Sequence, residues 1–343
     1  MSSEIRQNKA TREWVIYAPA RGKRPRDFTQ RRDQRQPLPM RDAQCPFCPG
    51  NEHLLPGILV ERHGQAHQPW QTRVVPNKFP ALTPEGDITR YTKGIYVAMQ
   101  GYGYHEVIIE SPRHNQQLID LAADDLAPLI ETYHQRYLEL RADERNVLIL
   151  IFRNHGLRAG ASLVHPHSQL ITTGMIPRHI RWREEEAERY FDEWGRCVYC
   201  DILAFERQEQ QRVLLENNSF LAFIPFAADV PFETWIVPKR HQADFGAISD
   251  DEKTDLTRAL HHILTRLHHK LNDPDYNYII NSSPRKANEP QLHWYLRIRP
   301  RLVTRAGFEI GSGIRINPSL PEADAAFLNQ KEEGTPPVTW EVR

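Results

Sequence analysis

The sequence predicts an α+β fold made of two tandem, related domains, each with a mostly antiparallel sheet and one long helix. The first observation is a repeat: a Cys-x-x-Cys pair followed by two widely spaced histidines occurs twice in the 343 residues. The second is that strand-like runs flank a single helical segment in each half, an order that favours antiparallel sheets over a doubly wound parallel one. We therefore predict domains at 1–176 and 197–343, joined by an Arg- and Glu-rich connector at 177–196.

The last two histidines of each set define the repeat. His114 and His241 are 127 residues apart, and His165 and His293 are 128 residues apart, so nearly one register relates the two halves. Similarity at a constant offset indicates an internal duplication. This offset is the basis for predicting two domains of the same kind.

The elements follow from the apolar spacing of each half. In the first half we predict strands at 104–110 and 147–152 with a helix at 118–140 between them. In the second half we predict strands at 220–225, 234–237, 276–280 and 294–298 and a helix at 250–271. Residues 20–45 lack an apolar period and predict an extended arm. The polar tail after Pro321 is expected to be loosely held.

Composition excludes several classes of partner. Forty-four basic residues balance forty-four acidic ones, so no net field attracts nucleic acid or an anionic membrane, and recognition of phosphate must be local. The first residues lack the apolar run of a signal peptide, and no stretch approaches the roughly 18 apolar residues of a membrane span. We expect a cytoplasmic protein that acts on small molecules.

Each half supplies two cysteines and two histidines, a ligand set suited to tetrahedral zinc. The predicted ligands are Cys45, Cys48, His114 and His165 in the first half and Cys197, Cys200, His241 and His293 in the second. Four protein ligands leave no open position for water, so we assign both zinc ions a structural role. The alternative is that either cysteine pair is a redox motif or two buried thiols.

His167 is the candidate nucleophile. In His165-Pro-His167 the two imidazoles lie at i and i+2, so on an extended strand both project to one face. If zinc holds His165, His167 is free to attack phosphorus, and an ordinary pKa of about 6.5 supplies the neutral form. The second half has Tyr295 at the matching position, so only the first half is predicted to react.

A covalent histidine intermediate divides nucleotidyl transfer into two displacements with ping-pong kinetics. A phosphate acceptor arrives ionised, since its second pKa is about 6, so no general base is required. Gln169 shares the face of His167 and could donate to a phosphate oxygen. The preceding stretch 153–162 suits a loop whose amides face phosphate oxygens, although its composition is also typical of an ordinary turn.

Motifs along nearly the whole chain resemble those of the galactose-1-phosphate uridylyltransferase branch of the histidine triad superfamily. They are E-W-V-I-Y-A-P-A-R-G-K-R-P, C-P-F-C, V-P-N-K-F-P-A-L, S-P-R-H, N-H-G-L-R-A-G-A-S-L-V-H-P-H-S-Q, H-W-Y-L and G-F-E-I-G-S-G. The resemblance implies two histidine-triad-like domains and a homodimer with shared active sites. It also implies transfer of a nucleoside monophosphate between a nucleotide sugar and hexose 1-phosphate, as in galactose metabolism.

The resemblance also assigns roles to residues. It makes His167 the nucleotidylated residue and places zinc on the first set of cysteines and histidines. The substrate contacts that it implies are Asn154, Gly160, Ser162 and Gln169 along the phosphates, Arg21 and Arg24 on an arm, Asn77 and Phe79 in a nucleoside pocket, and Glu309 at the hexose end.

Two departures from the family pattern leave the substrate open. Lys78 follows the pocket asparagine where the family often has an acidic residue, and Phe308 replaces a tyrosine beside Glu309. The second cysteine pair, the H-S-Q sequence and G-F-E-I-G-S-G followed by I-N-P are more similar to plant-type ADP-glucose phosphorylase, which uses inorganic phosphate as acceptor. We predict a transferase of the UDP-glucose:hexose-1-phosphate uridylyltransferase type. The first alternative is an ADP-glucose phosphorylase, and the second is a zinc-braced nucleotide-binding module without turnover.

Overall fold

The computed structural model describes residues 2–21, 28, 37–64, 70–284 and 289–330. The strands in this part of the chain are β1 Glu4–Gln7, β2 Trp14–Tyr17, β3 Val60–His63, β4 Trp70–Pro76, β5 Arg90–Lys93, β6 Tyr96–Met99, β7 His105–Ile109, β8 Leu148–His155, β9 His167–Thr173, β10 Val213–Glu216, β11 Phe220–Phe223, β12 Thr234–Pro238, β13 Tyr276–Asn281, β14 Tyr295–Pro300 and β15 Arg315–Asn317. The helices are α1 Ala127–Arg141, α2 Arg178–Trp194, α3 Val198–Glu209, α4 Asp250–Leu271, α5 Gly307–Ser312 and α6 Pro321–Asn329. Among the described residues, no helix is long and apolar enough to span a bilayer.

One ten-stranded antiparallel sheet carries both halves of the molecule. Its strand order is β10-β11-β12-β14-β13-β8-β9-β7-β4-β3. The two halves meet where β8 pairs with β13, with Asn154 opposite Asn277. A smaller sheet, β1-β2-β15, and the hairpin β5-β6 complete the described strands. The predicted α+β class with antiparallel sheets is confirmed, and the sheets of the two halves are continuous.

Helix α4 begins and ends where the sequence places it. Ser249 precedes its first turn, and the Ser249 hydroxyl accepts the Glu252 amide while the Glu252 carboxylate accepts the Ser249 amide. This capping box satisfies two amides that the helix itself leaves unpaired. Asn272 then adopts a left-handed conformation, with φ 55°, and ends the helix.

Helix α1 is shorter than predicted. It begins at Ala127, because residues 118–126 form two 3-10 turns instead of the first turns of an α-helix. Pro128 fixes this start, since proline lacks an amide hydrogen and is tolerated only in the first helical turn. Apolar spacing alone does not separate a run of 3-10 turns from an α-helix.

The predicted connector, 177–196, and the tail after Pro321 both contain helices. Helix α2 occupies most of the segment predicted as a connector. The prediction of a loosely held tail after Pro321 is wrong for α6, because Ala325 and Leu328 are buried in the main core and Asp324 accepts the Phe232 amide. Residues 331–343 and most of the predicted arm, 22–27 and 29–36, lie outside the described residues.

One apolar core joins the two halves between the sheet and its helices. It contains Tyr133 and Ile151 from the first half and Leu260, Tyr278 and Trp294 from the second. Helices α1 and α4 also pack against each other over this core. Because both halves bury side chains in the same cluster, we expect them to unfold in one cooperative transition.

Leu264→Ala tests this shared core. Leu264 is buried on α4, and truncation of such a leucine lowers the free energy of unfolding by about 2–5 kcal/mol. Urea denaturation followed by tryptophan fluorescence and circular dichroism should show one transition at lower urea. Leu138→Ala, at an exposed position of α1, is the control and should cost less than about 1 kcal/mol. Two separate transitions would contradict a common core.

Candidate active site

Two hydrogen bonds fix the ring orientations of His165 and His167. His165 Nε2–H donates to the Ser111 carbonyl at 2.7 Å, which turns Nδ1 toward the cysteine sulfurs. His167 Nδ1–H donates to the His165 carbonyl at 2.9 Å. These partners assign the tautomer of His167, so its Nε2 is unprotonated and can act as a nucleophile.

The surroundings of His167 favour the neutral ring. The residue is 7% exposed, and burial lowers its pKa, against the opposing effects of the bond to the His165 carbonyl and the charge of Glu110. Phe47 packs edge-on against His167 and His165, with ring centroids 5.4 and 5.9 Å apart. A neutral imidazole with a free Nε2 is the form that attacks phosphorus.

A buried charge network supports the catalytic strand from the opposite face of the sheet. Glu110 and Arg153 form a buried ion pair, with 2.9 Å between Arg153 Nε and the nearer carboxylate oxygen. The Ser168 hydroxyl donates to Glu110 and contacts the Tyr133 hydroxyl. Arg153 also donates to the Tyr276 hydroxyl at 2.9 Å. The sequence patterns did not indicate this network, and its one signal was the charged residue that ends the apolar run V-I-I-E.

His105, which the sequence patterns did not indicate, is hydrogen-bonded to the side chain of Gln169. His105 Nδ1 accepts the Ala81 amide at 3.1 Å, so His105 Nε2 carries the proton and donates to Gln169 Oε1 at 2.8 Å. The Asn77 side-chain amide lies 3.0 Å from the same nitrogen, and Asn77 Oδ1 accepts the Phe79 amide at 2.9 Å. The structure therefore brings the predicted pocket residues and Gln169 together, and the Gln169 amide nitrogen keeps its hydrogens as donors.

The loop before the catalytic strand does not present its amides as predicted. Gly156 and Gly160 adopt φ values of 83° and 89°. The amides of residues 158–161 are already engaged: Arg158 donates to Asp275 Oδ2 at 2.8 Å, and the next three donate to carbonyls within the loop. The prediction that these amides face phosphate oxygens is therefore wrong for 158–161, because the loop closes on itself and on Asp275.

The other predicted substrate residues are spread over the structure. Asn154 lies one residue beyond the Arg153–Ser168 pair, which places it opposite His167 on the same face. Ser162 is exposed in the loop. Arg21 ends a short 3-10 turn, and no contact within the described chain joins it to His167. Arg24 lies outside the described residues.

Glu309 is hydrogen-bonded at the start of α5 and lines a pocket at the end of β14. Its carboxylate accepts the Ala306 amide at 3.1 Å and the Ile316 amide at 3.2 Å. It faces a cluster of arginines at the end of β14. The structure does not bring it into contact with the His167 of the same chain in the described residues.

The first predicted ligand set is assembled. Its four ligand atoms lie within 4.8 Å of one another. Cys48 Sγ lies 3.5 Å from His114 Nδ1 and 3.6 Å from His165 Nδ1, and Cys45 Sγ lies 3.7 Å from His165 Nδ1. A tetrahedral zinc ion with bonds of about 2.3 Å to sulfur and 2.0 Å to nitrogen places these atoms about 3.5 Å apart. The cluster fits a metal ion.

The second set repeats this arrangement. Cys200 Sγ lies 3.4 Å from His241 Nδ1 and 3.6 Å from His293 Nδ1, and the set with Cys197 could also hold a metal ion. His293 Nε2–H donates to a backbone carbonyl at 2.9 Å, as His165 does in the first half. Tyr295, at the position of His167, packs against Trp235 with ring centroids 4.5 Å apart and ring planes tilted by 30°. The second half therefore has the cluster but lacks an imidazole at the position of His167.

An oriented histidine lies beside a Cys2His2 cluster on a sheet to which both halves of the chain contribute, an arrangement consistent with a nucleotidyltransferase. Residues 1–177 match the family described as galactose-1-phosphate uridyl transferase, N-terminal domain, and residues 183–313 match its C-terminal domain. The chain belongs to the galactose-1-phosphate uridyl transferase family, as its motifs predict, and is a nucleotidyltransferase-like enzyme.

Similar proteins cover nearly the whole chain. An ADP-glucose phosphorylase of Arabidopsis thaliana is 37% identical over 335 residues, which are 96% of this chain and 93% of the relative. A galactose-1-phosphate uridylyltransferase of Thermotoga maritima is 28% identical over 340 residues, 96% of this chain and 98% of the relative. The crystal structure of an A. thaliana ADP-glucose phosphorylase with bound ADP-glucose superposes with a TM-score of 0.81 at 33% identity, covering 97% and 99% of the two chains.

A double-mutant cycle tests the buried ion pair under the catalytic strand. Glu110→Gln or Arg153→Met alone leaves a charge buried without its partner, and such changes cost about 3–5 kcal/mol of folding free energy. The double variant should lose less than the sum of the two single losses, because both charges are removed. Urea denaturation of the four proteins measures this coupling. Strictly additive losses would show that the pair does not act as a unit.

Proposed function

We propose that this protein transfers a nucleoside monophosphate from a nucleotide sugar to a phosphate acceptor through a covalent intermediate on His167. The observation that carries the proposal is the bond from His167 Nδ1–H to the His165 carbonyl. That bond directs the lone pair of Nε2 away from the backbone and prevents the ring from turning. A fixed, neutral imidazole is suited to nucleophilic catalysis on phosphorus.

The reaction then has two displacements. In the first, His167 Nε2 bonds to the α-phosphorus of the nucleotide sugar, the bond to the bridging oxygen breaks, and hexose 1-phosphate leaves with that oxygen. In the second, an oxygen of the acceptor phosphate bonds to the same phosphorus, and the bond to Nε2 breaks. The acceptor is already ionised near neutral pH. No proton has to be removed from it in either step.

The predicted substrate residues have positions consistent with this chemistry. We propose that the Gln169 amide nitrogen, aimed by His105, donates to a non-bridging oxygen of the transferred phosphoryl group. Asn154, on the same face as His167, is proposed to contact the adjacent phosphate. Asn77 and Phe79 are proposed to meet the nucleoside. The roles of Arg21, Arg24, Gly160, Ser162 and Glu309 stay predictions from the resemblance.

We propose ADP-glucose as donor and inorganic phosphate as acceptor. The support is the 37% identity to an ADP-glucose phosphorylase and the superposition on such an enzyme with bound ADP-glucose. The second candidate is uridylyl transfer between UDP-glucose and galactose 1-phosphate, supported by the family assignment and by the uridylyltransferase relatives. A binding module without turnover is the third, and it requires that no adduct forms on His167.

We also propose that zinc occupies both clusters. Bound zinc would supply rigidity to the segments that carry His165 and His293, and four protein ligands leave it no position for substrate. The homodimer with shared active sites stays a prediction from the resemblance, and the cytoplasmic location stays a prediction from the sequence.

A labelled adduct tests the chemistry and the substrate together. ADP-glucose or UDP-glucose labelled at the α-phosphate is incubated with the protein, and acid-labile label on His167 is sought. His167→Ala should abolish labelling and lower turnover at least about a thousandfold. Tyr295→Phe, which changes the matching position in the second half, should keep both. Activity retained by His167→Ala would end the proposal.

A substrate panel separates the candidates. With ADP-glucose and phosphate as substrates, we expect ADP and glucose 1-phosphate as products. With UDP-glucose and galactose 1-phosphate as substrates, we expect little turnover. The reverse preference would favour the uridylyltransferase. Binding of both donors without label or product would favour the module that lacks turnover.

Metal analysis tests whether His165 binds zinc and His167 does not. The unaltered protein should contain two zinc ions per chain, one for each cluster. His165→Ala and His293→Ala should each lose one ion, because each removes a ligand, whereas His167→Ala should lose none. Mass spectrometry of metals in the purified proteins gives the contents. Equal zinc in the His165 and His167 variants would contradict separate roles.

A further inference from the structure

Phe47 connects the first metal-ligand cluster to the proposed nucleophile. It lies between Cys45 and Cys48 in the sequence. Its ring centroid is 5.9 Å from that of His165 and 5.4 Å from that of His167. One buried side chain between two ligands of the cluster therefore contacts both the last ligand and the residue that we propose to react.

The second half repeats this contact. Tyr199 lies between Cys197 and Cys200 in the sequence. Its ring centroid is 6.1 Å from that of His293 and 5.5 Å from that of Tyr295. An aromatic ring that packs on the last ligand and on the residue two positions beyond it is therefore common to both halves. In the first half this contact falls on an imidazole.

A hydrogen bond at one nitrogen does not by itself fix the plane of an imidazole ring. The bond from His167 Nδ1–H to the His165 carbonyl decides which nitrogen faces the backbone and prevents a half-turn of the ring. The torsion between Cβ and the ring is broad in histidine, so smaller tilts about it cost little energy. Such a tilt displaces Nε2, the nitrogen that does not face the backbone. A second restraint is therefore needed to aim that atom.

Packing supplies the second restraint on His167. The plane of the Phe47 ring meets that of the imidazole at 62°. Ile109 lies opposite His167 on the neighbouring strand β7, and residues paired across antiparallel strands project to the same face. Phe47 and Ile109 are buried in one apolar cluster with Cys45 and Cys48. A tilt of the imidazole toward this packed cluster would have to displace it.

Phe47 is too buried to serve as a contact for substrate. Its side chain is 7% exposed, whereas Phe79, which we propose to meet the nucleoside, is 83% exposed. Phe47 can therefore affect the reaction only through the residues on which it packs. Its removal should change the rate of the chemical step and leave the affinity for the nucleotide sugar unchanged.

We propose that Phe47 is a positioning residue, which holds the plane of the His167 imidazole so that Nε2 faces the α-phosphorus of the donor. The inference rests on the proposed function, because it concerns the same nucleophile. A displacement of about 1 Å in a reacting group can slow a reaction about a hundredfold. A restraint on one torsion of His167 is therefore large enough to affect the rate.

Single-turnover kinetics of the zinc-loaded, full-length protein test this role. The donor is the nucleotide sugar that labels the unaltered protein, ADP-glucose or UDP-glucose, and adduct formation is followed over a range of donor concentrations. Phe47→Ala should lower the limiting first-order rate constant at least about tenfold. The donor concentration that gives half of that rate should stay within about twofold. Loss of folded protein would lower only the amount of adduct, so the rate constant reports the positioning of His167.

The second half offers a matched control. Tyr199→Ala removes the corresponding ring beside Tyr295, and the rate constant should stay within about twofold of that of the unaltered protein. Phe47→Leu keeps most of the apolar volume and should stay within about threefold. If metal analysis shows that Phe47→Ala has lost zinc, Phe47→Val takes its place with the same expectation, because it removes the ring but keeps a branched apolar side chain.

Three results would overturn the proposal. They are an unchanged rate constant in the zinc-containing Phe47 variant, equal slowing by Tyr199→Ala, and a slowing that a saturating donor concentration abolishes. If the unaltered protein forms no adduct, the proposed function and this inference fall together. If the adduct forms and the Phe47 variant reacts as fast as the unaltered protein, only this inference falls.

Discussion

The hydrogen bond from His167 Nδ1–H to the His165 carbonyl is the interaction on which the proposed activity depends. It selects the tautomer and orients the ring, and it is made by the backbone of the residue that also belongs to the metal-ligand cluster. The cluster, the Ser111 carbonyl and the edge of Phe47 hold that backbone. Preorganisation of this kind removes the entropy cost of aiming a nucleophile during the reaction.

The two halves share their structural features but differ at the position of the proposed nucleophile. Both halves keep a Cys2His2 cluster with the same carbonyl contact to the last histidine, and both contribute strands to one sheet and side chains to one core. Only the first half has an imidazole at the position of the proposed nucleophile, and the second half has a tyrosine there that packs against Trp235. The buried Glu110–Arg153 pair lies under β9, the strand that carries the proposed nucleophile.

The sequence predicted the features that are determined by residues close together in the chain or by a repeated motif. Helix α4 was predictable because its capping residues adjoin it in sequence, and the two Cys2His2 clusters were predictable because the same residue types recur in both halves. The continuous sheet depends on pairing between β8 and β13, which apolar spacing does not encode. His105 was missed because its partner Gln169 is 64 residues away. The loop amides were misassigned because Asp275, 117 residues from Arg158, occupies one of them.

If His167 reacts as proposed, one nitrogen of its imidazole bonds to phosphorus. The nitrogen that carries the phosphorus can be identified by experiment. The trapped intermediate can be digested and the labelled histidine peptide studied by phosphorus–nitrogen correlation in nuclear magnetic resonance. We expect the phosphorus on Nε2 of His167, because Nδ1 is held by the His165 carbonyl. Phosphorus on Nδ1, or on any other residue, would contradict it.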